Sequence, residues 1–170
     1  MVIHLEGKPF NLTLVQVYAP TNHATEGDKA QIYEQLQDVI DLAPRGDIVL
    51  ISGDFNAKRG AGSPVGSIAL GVASDNGERL TQFCLSNACV AACAMVDRHP
   101  RRKATWKSPD QETRNQIDFV LVPTCWVSSV TGCRVYSGAD IIDTDHSLVA
   151  GTLRLKLRKP TPSKRQIGWS

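Results

Sequence analysis

The segment 47–52, Asp-Ile-Val-Leu-Ile-Ser, constrains the fold of this 170-residue chain more than any other. A short, continuous apolar run of this kind suits a strand that is buried on both faces, as in a sheet covered by other layers. The run leads directly into Gly53-Asp54-Phe55-Asn56, so polar side chains follow a buried strand at its end. Loops at strand ends are where a rigid sheet holds functional groups. The sequence therefore predicts a layered α/β fold with a functional loop after this strand.

The remaining elements follow from apolar periodicity and turn signals. Strands and helices alternate at first, and strands then cluster, which predicts mixed sheet packed against helices. Thr25 with Asp28 resembles a capping box at a helix start, and Pro44 stops that helix. Residues 57–74 are rich in Gly, Ala and Ser and predict a long loop. The predicted strands are 11–18, 47–52, 89–96, 103–106, 116–122 and 147–157, while residues 128–137 alternate only weakly. The predicted helices are 28–43 and one that starts at Asp75.

The composition is that of an ordinary globular domain. Hydrophobic residues make up 42% and charged residues 21% of the chain, which excludes a disordered chain. The net charge of +2 is too small to indicate a nucleic-acid partner by itself. Basic residues do cluster, and each cluster fits either a solvated face or phosphate contact. They are Arg98, Arg101, Arg102 and Lys103, and then Lys156, Arg158, Lys159, Lys164 and Arg165.

The five cysteines form no CxxC pair, and their number is odd. We therefore expect reduced thiols in an intracellular protein rather than a disulfide framework or a zinc site. The sequence has no apolar run long enough to span a membrane, so no membrane partner is expected.

Polar residues end four of the apolar segments. Each has an ordinary explanation when it is taken alone. Asp54 and Asn56 could close a turn, Asp118 could pair with Arg114, and His146 could be a structural histidine. The four segments are Tyr18-Ala-Pro, Gly53-Asp54-Phe55-Asn56, Gln116-Ile-Asp118-Phe and Thr144-Asp145-His146-Ser.

Taken together and in this order, the four segments resemble the exonuclease–endonuclease–phosphatase superfamily. The stretches Arg102-Lys-Ala-Thr-Trp106 and Thr113-Arg-Asn-Gln-Ile-Asp118 are similar to the endonuclease domain of LINE-type retrotransposons and to proteins of the craniofacial development protein 2-like group. The resemblance implies a partial four-layer α/β sandwich, two mixed sheets flanked by helices, like deoxyribonuclease I. It covers residues 1–158 as the C-terminal portion of such a domain and leaves 159–170 as a basic tail.

The same resemblance implies a magnesium-dependent DNA endonuclease, with Mn²⁺ as a substitute cofactor. It implies that Asp118 and His146 form an acid–base pair and that Asp145 binds the metal. Asp54 would then orient the nucleophile or protonate the leaving group, while Asn56 and Tyr18 would hydrogen-bond the phosphate. Carboxylate oxygens suit Mg²⁺, which neutralises the charge of a phosphodiester.

DNA is the implied partner, and the implied location is nuclear. Trp106, Arg114 and Asn115 are the expected DNA-facing residues, since aromatic rings stack on bases and Arg side chains bind phosphate. Trp106 could equally be a core aromatic. Whether a reverse transcriptase segment follows in a longer product stays open.

The sequence departs from the family pattern at its beginning. The family places an Asn and a metal-binding Glu upstream of the Tyr segment, and only seventeen residues precede Tyr18 here. We therefore expect a domain without its first part, marginally stable alone and weak in magnesium binding or inactive. Two alternatives follow: a phosphomonoesterase of the same superfamily, and a non-catalytic remnant that binds DNA or protein.

Overall fold

A mixed five-stranded sheet is the main layer of the computed structural model, which describes residues 1–60, 72–95, 102–136 and 144–155. The two α-helices are α1 (Glu26–Leu42) and α2 (Asp75–Ser86), and short 3-10 helices lie at Ala92–Met95 and Thr124–Ser129. In chain order the strands are β1 (Val2–Leu5), β2 (Leu12–Tyr18), β3 (Ile48–Asp54), β4 (Cys89–Ala91), β5 (Trp106–Lys107), β6 (Arg114–Asn115), β7 (Asp118–Pro123), β8 (Val130–Tyr136) and β9 (Leu148–Leu153).

The strand order of the main sheet is β1-β2-β3-β7-β4. Strands β2 and β3 run parallel, with α1 as their connection, and the other pairs are antiparallel. Strands β5 and β6 form one small sheet, and β8 and β9 form another. Helix α1 begins after Thr25, whose hydroxyl accepts a hydrogen bond from the backbone N–H of Asp28 at 3.2 Å. The predicted helix cap is therefore confirmed.

Strand β3 is covered on both faces, as its apolar sequence predicts. Ile48 and Leu50 pack into a cluster with residues of β8 and β9, such as Cys133 and Val149. Ile51 points into the opposite cluster, which joins the sheet to both helices. That second cluster includes Val15, Val17, Leu36, Phe55, Leu80, Phe83, Phe119 and Leu121. The strand that leads to Asp54 is thus fixed by core packing on both sides.

The structure differs from the predictions in the second half of the chain. The predicted strand 89–96 ends at Ala91, and Ala92–Met95 is a 3-10 helix. Apolar runs of this length do not distinguish a strand from a helix, and alanines have low β propensity. The expectation of five thiols is wrong for Cys93 and Cys133, which form a disulfide with Cα atoms 4.9 Å apart.

Some predictions fall outside the described residues. These are most of the loop 57–74, the basic residues Arg98 and Arg101, and the basic tail 159–170. The division of the chain at residue 158 therefore stays a prediction. Neither described α-helix is long and apolar enough to cross a membrane.

Candidate active site

The register of the main sheet brings three of the predicted residues side by side. Tyr18 is opposite Asp54 in the parallel pair β2–β3, and Asp54 is opposite Asp118 in the antiparallel pair β3–β7. Gly53 permits this close pairing, because a Cβ added at this position would lie 2.0 Å from the Val17 carbonyl oxygen. The φ of Gly53 is +146°, which side-chain-bearing residues rarely adopt. The glycine before Asp54 is thus a geometric requirement of the strand end.

His146 completes a cluster with the two aspartates. Its Nδ1 lies 3.1 and 3.3 Å from the carboxylate oxygens of Asp118. Its other ring nitrogen, Nε2, lies 3.9 Å from Oδ2 of Asp54. With Nδ1–H donating to Asp118, the tautomer of a neutral ring is set and Nε2 keeps its lone pair.

Thr105 joins the segment that carries His146 to the strand that carries Asp118. Its side chain is fully buried, and its hydroxyl oxygen accepts hydrogen bonds from the backbone N–H groups of Ile117 at 3.0 Å and Asp118 at 3.1 Å. Its carbonyl oxygen accepts a hydrogen bond from the N–H of Ser147 at 2.7 Å. One residue therefore sets the relative position of both members of the Asp–His pair.

The loop after β3 is held by Asn56, whose backbone is left-handed with φ of 45°. Its N–H donates to Oδ1 of Asp54 at 2.8 Å, and its Nδ2 donates to the carbonyl oxygen of Ala19 at 2.8 Å. A longer contact of 3.4 Å joins Nδ2 to Oδ2 of Asp54. Asn56 therefore orients Asp54, and this longest bond is the one that a ligand oxygen could replace.

Burial dominates the electrostatics of the two aspartates. It raises the pKa of Asp54, an effect opposed by the N–H of Asn56 and increased by the negative charge of Asp118. Burial likewise raises the pKa of Asp118, opposed by the Thr105 hydroxyl and by His146. Two carboxylates with raised pKa values in one cluster favour a bound cation, which would stabilise both charged forms.

Asp54, Asp118 and His146 each offer a ligand atom, and these atoms lie within 4.8 Å of one another. Two carboxylates and an imidazole form a donor set that divalent cations accept. Asp145 stands beside this set. Its Oδ1 lies 4.0 Å from Nε2 of His146, and its Oδ2 accepts a 2.7 Å hydrogen bond from the indole N–H of Trp106. The residue predicted as the metal ligand is therefore near the cluster but engaged by Trp106.

A cavity of about 510 Å³ opens onto the cluster. It is lined by Met1, Gln16, Val17, Tyr18, Asp54, Asp118 and His146. Tyr18 is 76% exposed, so its ring borders the opening rather than the core. A ligand in this cavity would meet the aspartates, the imidazole and the tyrosine together.

The predicted DNA-facing residues occupy the small sheet beside the site. Trp106 pairs with Asn115, and Trp106 also forms a backbone bridge with His146. Arg114 is exposed, whereas Trp106 and Asn115 are half-buried. Sequence reasoning missed Thr105, which positions the Asp–His pair, and Gln16, which lines the cavity. A buried hydroxyl that accepts hydrogen bonds from backbone N–H groups leaves no periodic signal in the sequence.

A curated relative is 40% identical over 159 residues: craniofacial development protein 2 from Bos taurus. The alignment spans 92% of this chain and 27% of the relative. The protein of the same name from Tragulus javanicus shows the same identity over 28% of its length. The chain thus spans little more than a quarter of the curated relatives that it matches. No family model matches the sequence.

Solved structures share the fold at low sequence identity. The 3′ phosphatase NExo from Neisseria, bound to a product DNA hairpin, superposes with a TM-score of 0.67 at 17% identity over 91% of this chain and 65% of that one. The endonuclease domain of the telomere-specific non-LTR retrotransposon TRAS1 gives 0.63 at 15% identity over 92% and 64%.

An AP endonuclease from Archaeoglobus fulgidus gives a TM-score of 0.63 at 12% identity over 91% of this chain and 65% of that one. The prediction of a deoxyribonuclease I-like α/β fold is confirmed by these matches. The chain is thus similar to craniofacial development protein 2 over a little more than a quarter of that protein's length, and it has the deoxyribonuclease I-like fold of these solved nuclease and phosphatase structures.

Proposed function

We propose that this chain carries the acid–base part of a magnesium-dependent phosphodiesterase that cleaves DNA. The observation that supports it best is the convergence of Asp54, Asp118 and His146 at the rim of one open cavity. The names of the structural neighbours, which include nucleases and a 3′ phosphatase, agree with phosphoester hydrolysis. Descent from a retrotransposon endonuclease and a nuclear location belong to the same proposal.

The aspartates and Asp145 would hold the metal, and Mg²⁺ would neutralise the phosphate charge. Asp118 fixes the Nδ1–H of His146, so Nε2 can take a proton from an attacking water or hold a phosphate oxygen when protonated. Asp54, which the N–H of Asn56 holds at 2.8 Å, would orient the attacking water as a carboxylate. Asn56 and the exposed Tyr18 would donate hydrogen bonds to the phosphate.

DNA would approach across the small sheet. Arg114 is exposed there, and Lys107 lies opposite it in the register of β5 and β6. Both cations can neutralise phosphates that flank the scissile bond. Besides contacting DNA, Trp106 would fix the orientation of Asp145, because its indole N–H donates a hydrogen bond to that carboxylate.

The test is relaxation of supercoiled plasmid in Mg²⁺ by the whole chain and by His146→Ala. We expect the variant to lose activity by about 100-fold or more, since it removes the proton acceptor of the reaction. His4→Ala is a matched control. His4 pairs through Nδ1 with the buried side chain of Asp47 at 2.9 Å and lies opposite Thr13 of β2, not in the cluster. The His4→Ala variant removes a similar His–Asp contact away from the cluster. It should therefore leave the rate of plasmid cleavage per folded molecule unchanged.

Three other outcomes are decisive. Equal relaxation by His146→Ala would contradict the proposal. Faster cleavage of a phosphomonoester than of plasmid would favour the phosphatase alternative. DNA binding that persists in EDTA, with no cleavage by the wild-type chain, would identify a non-catalytic binding module.

A further inference from the structure

Asn76, the second residue of α2, connects this helix to the two loops beside the proposed active site. Its side chain is 2% exposed, and its single amide nitrogen Nδ2 donates two hydrogen bonds. One goes to the carbonyl oxygen of Pro20 at 2.8 Å, and the other goes to the carbonyl oxygen of Asn56 at 3.1 Å. These acceptors are in the loops that follow β2 and β3, the strands that end in Tyr18 and Asp54.

The start of α2 is held against the second of these loops by its backbone. An added Cβ on Gly77 would lie 1.8 Å from the Lys58 carbonyl oxygen, so only glycine permits this approach. Ser74 accepts a hydrogen bond from the Lys58 N–H at 3.1 Å and donates its own N–H to the Lys58 carbonyl oxygen at 2.9 Å. Helix α2 therefore presents Asn76 to the loop at a fixed distance.

Asn56 depends on this support because its backbone is left-handed, with φ of 45°. Its N–H holds Asp54, its side chain holds Ala19, and its carbonyl oxygen is held by Asn76. Removing the Asn76 amide would leave the carbonyl oxygens of two half-buried residues without that donor, and an acceptor that loses its partner away from water is costly. The loop would relieve this by turning, and such a turn would move the N–H that orients Asp54.

We infer that Asn76 is a positioning residue of the active site, which sets Asp54 through the conformation of Asn56. The catalytic part of this inference rests on the proposed phosphodiesterase function. Asparagine suits the position because one planar amide supplies two donors without charge. Aspartate has the same shape and no N–H, and serine has one donor.

The first test is hydrogen exchange of the Asn56 backbone N–H, measured by NMR on the whole chain. In Asn76→Ala we expect exchange of this group to accelerate about tenfold more than that of Leu121 in the central strand β7, since the loop opens locally. Asn76→Ser, which keeps one donor, should give a smaller acceleration and guards against a variant that does not fold.

Asn87→Ala is the matched control. Asn87 is at the other end of α2, and its Nδ2 also donates twice, to Gln37 at 2.9 Å and to the Phe83 carbonyl oxygen at 3.0 Å. Its loss should destabilise the helix pair without a selective effect on Asn56. If Asn56 and Leu121 accelerate equally in Asn76→Ala, the residue is only structural and the inference is overturned.

The second test is the kinetics of plasmid cleavage in Mg²⁺. We expect kcat to fall about tenfold in Asn76→Ala relative to Asn87→Ala, with KM within about twofold, because the DNA-facing surface is unchanged. Equal losses in the two variants would overturn a catalytic role for Asn76. If the wild-type chain does not cleave DNA, the proposed function fails, while the exchange measurement still decides whether Asn76 positions Asn56.

Discussion

At the scale of single residues, the position of the Asp118–His146 pair depends on the buried hydroxyl of Thr105. The Thr105 oxygen accepts two backbone N–H groups at the start of β7, in a place that water does not reach. A buried N–H that loses its acceptor costs its full desolvation. Thr105 therefore contributes to stability and to the position of the Asp118 carboxylate at once.

Thr105→Val keeps the shape of the side chain and removes the acceptor. We expect the free energy of unfolding to fall by about 1–3 kcal/mol, because the buried N–H of Ile117 and the half-buried N–H of Asp118 lose their acceptor. Urea denaturation measures this loss. The matched control is Thr131→Val, since the exposed Thr131 hydroxyl donates to the Thr152 carbonyl oxygen at 3.2 Å. A loss as large in the control would show that the buried position of Thr105 is not the cause.

At the scale of elements, a cluster of charges joins the first turns of the two helices. Lys29 is 5% exposed, and its Nζ lies 3.1 Å from both Oε1 of Glu26 and Oδ2 of Asp75. Arg79 binds the same Asp75 oxygen through Nε at 3.1 Å and also pairs with Glu26. The hydrogen bonds from Arg79 and Lys29 lower the pKa of Asp75.

The lowered pKa fixes the sign of the pH dependence. In the unfolded chain Asp75 titrates near its ordinary value of 3.8, and in the folded chain it titrates lower. Its contribution to stability is therefore complete above the unfolded value and is lost as the pH falls below 3.8 through the folded value. Asp75→Asn should be less stable than wild type at neutral pH, with a gap that closes in strong acid.

Thermal or urea unfolding as a function of pH measures the gap. Asp38→Asn on the exposed face of α1 is the control, since Asp38 forms no ion pair with the other residues that the structure describes. A gap for Asp75→Asn that stays constant into acid would contradict the assignment of Asp75 as the charged partner.

The sequence predicts an element well when the residues that start and stop it are close to it in the chain. Helix α1 was expected over 28–43 and runs over Glu26–Leu42, because its cap and its stop are encoded within a few residues. The sequence predicts a strand over 103–106, whereas β5 is only Trp106–Lys107. Its bounds are set by its pairing with β6 and by the bridge from Trp106 to His146, which are distant in the sequence. Pairing over long sequence distances leaves no local pattern.

At the scale of the whole molecule, the sequence predicted which residues gather but not what ties the layers together. The resemblance implied that Asp54 and Asp118 share one site, although the sequence placed Asp118 inside a strand 116–122 and the structure begins β7 at this residue. The disulfide could not be predicted, since Cys93 and Cys133 are 40 residues apart and look like ordinary apolar positions. The structure also leaves apolar side chains exposed on β1, including Val2 at 50% and Leu5 at 46%. These agree with the expectation of marginal stability, which stays a prediction.

The disulfide connects the 3-10 helix after β4 to β8, and so links the main sheet to the small sheet that leads toward His146. A loop of 40 residues closed by a disulfide loses unfolded-state entropy worth about 3–4 kcal/mol. We expect dithiothreitol to lower the urea midpoint of the wild-type chain and to have no effect on Cys93→Ser. Cys125→Ser, which removes an exposed free thiol, should respond to dithiothreitol as wild type does. Equal midpoints for the wild type with and without reductant would mean that the layers hold through their apolar contacts alone, with Cys93 packed as a thiol.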